Sequence, residues 1–105
     1  FLFVDDMAEA VVYALENKLP GYLYNIGTGK DIMIKELAEM IQKVIGHQGS
    51  LLWDTNKPDG TPRKLMDISK MERPGWQYST ELEDGIRKTY LWFLDNINSI
   101  KEVKL

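Results

Sequence analysis

An α/β lobe, short strands with three main helices, is the fold class that these 105 residues predict. Two observations carry it. Short apolar runs rich in aromatic and branched residues, Phe1–Val4, Tyr22–Ile26 and Ser50–Asp54, have the composition and length of strands. Between and after them stand three longer segments whose apolar residues recur every three or four positions, as one face of a helix requires.

In chain order, Phe1 to Val4 predicts a short buried strand, and Asp5-Asp6 offers an N-cap with a second acid favourable to the helix dipole. The helix expected over 6–17 places Met7, Ala8, Val11, Val12 and Leu15 on its core face, and Lys18-Leu19-Pro20-Gly21 ends it. Tyr22–Ile26 then reads as a strand stopped by Gly27-Thr28-Gly29. A strand followed by glycines and a helix is the outline of a dinucleotide-binding turn, but the third glycine of G-x-G-x-x-G is replaced by Ile32. The segment reads instead as a tight turn from strand to helix. Over 32–45, Ile34, Leu37, Ala38, Ile41, Val44 and Ile45 make one apolar face, and Gly46 closes the helix. His47, with no acid, serine or second histidine beside it, reads as a solvated loop residue. Trp53 reads as core within the strand 50–54, with stacking on a base or sugar as the other use of its ring. After an extended Leu65-Met66-Asp67, one helical turn capped by Asp67 is expected, then a break at Pro74-Gly75-Trp76. Thr80 and Glu83 have the spacing of a capping box, opening a third helix over 80–97. From Asp95 onward the periodicity fades, so 97–105 is expected as a frayed tail.

Composition narrows the function. A net charge of −3 and a pI near 5.1 argue against nucleic acid and against a membrane surface as partners, since both call for a basic field. The absence of cysteine removes disulfides, thiolate metal sites and thiol nucleophiles, and suits a reducing, cytoplasmic location. With a single histidine, no zinc site is expected. The chain opens on Phe1 inside an apolar run, which predicts a piece of a longer polypeptide.

One stretch gathers charge and rigid turns with no apolar pattern: Asn56-Lys57-Pro58-Asp59-Gly60-Thr61-Pro62-Arg63-Lys64. Two prolines in five residues exclude a continuing helix or central strand and predict an exposed, semi-rigid loop. Lys57, Arg63 and Lys64 supply cationic donors, Arg63 with a fork suited to two phosphate oxygens, and Asp59 can accept from a hydroxyl. Between residues 57 and 73 five cations face three anions in an otherwise acidic chain, which suits a small anion such as a diphosphate. A plain solvated connection has the same composition.

The order F-L-F-V-D-D-M-A-E-A, Y-N-I-G-T-G, I-K-E-L-A-E-M-I, K-P-D-G-T-P-R-K-L-M-D-I-S-K, G-W resembles the C-terminal part of the extended short-chain dehydrogenase/reductases that act on nucleotide sugars. Within them K-P-D-G-T-P-R-K resembles the GDP-L-fucose synthase family, NADPH-dependent 3,5-epimerase/4-reductases. The resemblance runs from residue 1 to about 96 and implies a C-terminal substrate-binding lobe over 1–96. It implies a GDP-sugar substrate gripped by Lys57, Asp59, Arg63 and Lys64, and a homodimeric parent enzyme. NADP would bind that parent outside this lobe, and the catalytic residues would stand before Phe1. In keeping with that, Tyr13 and Tyr90 lack a lysine four positions on. Relatives often carry R-x-G-D where this chain has Lys57 and Asp59-Gly60, and His or Tyr where it has Phe3. Three other readings share these features: the same lobe serving another sugar nucleotide, a non-catalytic binding module, and a docking module using its long helices.

Overall fold

Four helices in the order α1 (Val4–Glu16), α2 (Ile34–Ile45), α3 (Ser69–Glu72) and α4 (Leu82–Asn96) make up the regular structure of residues 1–99, the part that the computed structural model describes. No β-strand occurs among the described residues. The three predicted strands lie in irregular backbone, apart from Val4, which already belongs to α1. The reason is pairing: β-propensity favours an extended chain, but a strand exists only where a neighbour completes the ladder. Residues 22–26 are held by side chains instead. Asn25 Nδ2 donates to the Asp67 carbonyl at 3.1 Å and Lys70 Nζ to the Leu23 carbonyl at 3.3 Å.

The first helix begins earlier than its cap signal predicts, with Phe3 as N-cap and Asp5 and Asp6 both inside the first turn. Asp6 points inward and is 1% exposed. Its carboxylate accepts Ser79 N–H at 3.2 Å, Ser79 Oγ–H at 2.8 Å, Thr80 N–H at 3.1 Å and Thr80 Oγ1–H at 3.4 Å. Burial pushes the Asp6 carboxyl up, but the bonds from Ser79 and Thr80 outweigh it and hold the group below its ordinary range. This grip also explains why no Thr80–Glu83 capping box forms. Thr80 is spent on Asp6, and Glu83 pairs with Lys43 at 3.3 Å and Arg87 at 3.1 Å while α4 starts at Leu82 behind Glu81.

With Asp6 turned in, α1 buries the stripe of Asp6 and Ala10, with Tyr13 and Ala14 partly covered. The predicted core face is therefore outside: Met7, Val11 and Val12 are exposed, and Leu15 is 75% exposed. Small Ala10 and Ala14 let the helix approach Met71 and Trp76, which with Ala10 form the buried core. Around them pack Leu2, Leu19, Tyr24, Ile26 and Tyr78, and Tyr13 donates its hydroxyl to the Pro74 carbonyl at 2.5 Å. The segment predicted only as a break thus delivers a core residue, Trp76. Trp53, predicted as core, is 51% exposed in an open stretch.

The second helix starts where Met33 N–H meets Glu36 Oε2 at 3.3 Å, and it ends as predicted on Gly46, whose φ of 71° permits the left-handed closing turn. It packs on α4, with Leu37, Ile41 and Ile45 facing Ile86, Tyr90 and Phe93 across an apolar groove of about 600 Å³. α3 begins one residue later than expected, with Ile68 rather than Asp67 as N-cap; Asp67, one position further out, still accepts Ser69 N–H through Oδ1 at 2.9 Å. After α4, Ser99 N–H turns back to the Asn96 carbonyl at 2.8 Å, and residues 100–105 of the expected tail lie outside the described part.

These helices are spread out. The surface is 9000 Å², against roughly 6,000 Å² for a compact folded chain of this mass. The radius of gyration is 16.9 Å, against about 13 Å for a compact domain of this length. No helix among the described residues is long and apolar enough to cross a membrane.

Candidate functional site

The charged loop over 56–64 leaves the chain through a local turn: Asp54 Oδ1 accepts Asn56 N–H at 3.0 Å and its carbonyl accepts Lys57 N–H at 3.3 Å. From Leu52 to Asp67 every residue is exposed, as the prolines and the lack of apolar pattern predict. Lys57, Asp59 and Lys64 make no side-chain hydrogen bond or ion pair among the described residues, and Gly60 has open space where a side chain would stand. These three are therefore presented to solvent rather than gathered around one point. None of the four predicted residues lines the apolar groove or the smaller cavity described below.

Arg63 is the exception in its tethering. Its Nε donates to Asp31 Oδ2 at 2.5 Å, joining the loop to the turn that precedes α2. That turn is built by Gly29, whose φ is +68° and whose missing Cβ would lie 2.9 Å from Ile68 Cδ1. A side chain there would collide with Ile68, so the glycine sets how closely the turn sits on the segment leading into α3. Thr28 Oγ1 accepts Lys30 N–H at 3.3 Å and stiffens the same turn.

Lys30, next to Asp31, reaches the other way. Its Nζ lies 3.3 Å from Glu81 Oε1 and 5.3 Å from the centre of the Tyr78 ring, and the Tyr78 hydroxyl also donates to Glu81 at 3.2 Å. Tyr78 and then Glu81 hold the Lys30 ammonium above its ordinary range. Thr28, Lys30, Asp31, Tyr78 and Glu81, with Phe1, Ile32, Met40 and Leu82, line a cavity of about 220 Å³. Arg63 thus stands at the edge of a polar wall in which two cations, Arg63 and Lys30, are matched by two acids, Asp31 and Glu81. Sequence reasoning missed Lys30, Asp31, Tyr78 and Glu81. Only the charged pair directly after the glycine turn, Lys30-Asp31, hinted at them.

No protein-family model matches the chain. It is, however, 46% identical over 97% of its length to "Probable GDP-L-fucose synthase 1" of Oryza sativa subsp. japonica, of which it covers 31%. Among solved structures, a GDP-6-OMe-4-keto-L-xylo-heptose reductase from Campylobacter jejuni matches 88% of this chain, with a TM-score of 0.78 and 36% identity, over 29% of its own length. A GDP-D-glycero-L-gluco-heptose synthase from Campylobacter jejuni, determined in the presence of NADPH, matches 86% of this chain with a TM-score of 0.73 and 35% identity, over 28% of its own length. The chain thus spans about 30% of the length of the proteins it matches and shares the fold of the two solved ones across most of its residues.

Proposed function

We propose that residues 1–96 are the C-terminal substrate-binding lobe of a GDP-L-fucose synthase, an extended short-chain dehydrogenase/reductase that converts GDP-4-keto-6-deoxy-D-mannose to GDP-L-fucose by 3,5-epimerisation and NADPH-dependent 4-reduction. The observation that carries this reading is the likeness to a GDP-L-fucose synthase along nearly the entire chain, at 46% identity. In this reading the loop over 56–64 holds the nucleotide-sugar diphosphate. Arg63 offers its terminal guanidinium edge to two oxygens, Lys57 and Lys64 add point charges, and Asp59 accepts from a hydroxyl. Fixing the substrate by its remote diphosphate places the sugar carbons against the nicotinamide, an orientation effect that contributes several kcal/mol on the general scale for positioned reactants.

Hydride and proton transfer belong to the remainder of the enzyme, which binds NADP and forms a cytoplasmic homodimer. The exposed apolar face of α1 and the open groove between α2 and α4 suit a lobe that packs on such a body. The solved neighbours favour a second reading of the same class, a reductase of another GDP-sugar. Steady-state NADPH oxidation by the intact polypeptide with a panel of GDP- and UDP-sugars separates the two. With the preferred substrate, Arg63→Ala raises KM more than tenfold; an unchanged KM removes Arg63 from the site.

A further inference from the structure

We infer that Asp31 is a positioning residue for the diphosphate site: it holds Arg63 by Nε so that the guanidinium's other edge stays open to two phosphate oxygens. This rests on the reading of Arg63 as a diphosphate ligand given above. Arg63 is 69% exposed on a loop with no regular structure, so by itself it would spread over many rotamers. Its contact with Asp31 is made through Nε at 2.5 Å. The two terminal nitrogens have no partner among the described residues, and they form the edge that pairs with two oxygens in parallel.

The post itself is firm. Asp31 follows a turn set by the close approach of Gly29 to Ile68 and by the Thr28–Lys30 bond, and α2 begins at Ile34 three residues later. Its neighbour Lys30 is already committed to Glu81, which leaves Asp31 to Arg63. A fixed turn therefore dictates where an exposed, irregular loop presents its fork, the arrangement that lowers the ordering cost of binding.

Charge alone predicts the opposite effect, which makes the inference testable by sign. Asp31 is an anion beside a site for an anion, so its neutralisation would tighten binding if Coulomb repulsion were its only influence. As a positioning residue, its loss weakens binding. The experiment is steady-state kinetics of the intact polypeptide with the GDP-sugar it turns over best, with GDP as competitive inhibitor, and with thermal unfolding as a fold control. Asp31→Asn and Asp31→Ala raise KM and the GDP inhibition constant about tenfold and leave kcat within twofold. Asp31→Glu restores most of the loss, and Asp31→Asn adds nothing on an Arg63→Ala background. An unchanged or lowered KM in Asp31→Asn, with Arg63→Ala still impaired, overturns the role of Asp31 and leaves the diphosphate reading standing. An Arg63→Ala enzyme with unchanged KM overturns both.

Discussion

Replacing Asp6 with alanine removes the acceptor of four hydrogen bonds that join the start of α1 to the entrance of α4. A hydrogen bond to a charged group contributes about 1.5–3 kcal/mol on mutational scales, but the full sum is not expected here. The donors share two oxygens, Ser79 is exposed enough for water to replace part of the loss, and deleting the carboxylate also relieves its own burial. Balancing these, Asp6→Ala costs about 2–4 kcal/mol and Asp6→Asn about half of that, since a neutral amide oxygen still accepts. Urea unfolding of the 105-residue chain, followed by tryptophan fluorescence and far-ultraviolet circular dichroism together, reads the difference. A loss below about 0.5 kcal/mol in Asp6→Ala, the range of ordinary surface substitutions, would refute the reasoning. The same group sets an acid limit. Its folded pKa lies below the ordinary 3.8, so its contribution is fully present above that value and is lost as pH falls through the lower folded one. Asp6→Asn accordingly flattens the decline of stability below that pH, and an unchanged acid limb would count against the assignment.

Gly29→Ala forces a left-handed φ on a residue with a side chain and meets Ile68, so it lowers stability by about 1–2 kcal/mol; an unaltered thermal midpoint would show that the turn is not so constrained. Val11→Lys on the outer face of α1 changes the stability of the 105-residue chain by less than about 0.5 kcal/mol, although its pattern reads as core. A loss above about 2 kcal/mol in the same urea titration would mean that this face is buried.

What the sequence by itself determined was local or carried by resemblance. The apolar face of α2 and its glycine stop, the Asp67–Ser69 bond at the entrance of α3 and the exposed loop over 56–64 follow from periodicity, side-chain chemistry and proline, each acting within a few residues. The likeness to GDP-L-fucose synthases was legible in short motifs spread along the chain, and the comparison supports it. Tertiary structure decided the rest, because those questions depend on partners distant in the chain. Segments with strand composition found no ladder. α1 carries two stripes able to pack, and the one with small alanines and Asp6 turned inward because Met71, Trp76 and the Ser79–Thr80 donors stand there. Thr80 had the spacing of a cap and was taken by an acid 74 positions away. Arg63 was legible as a cation, but its tether to Asp31, 32 residues upstream, arises only when the glycine turn folds onto the segment leading into α3. Spacing encodes what a residue can offer; which offer is taken depends on the donors, acceptors and surfaces that folding brings within a few ångströms.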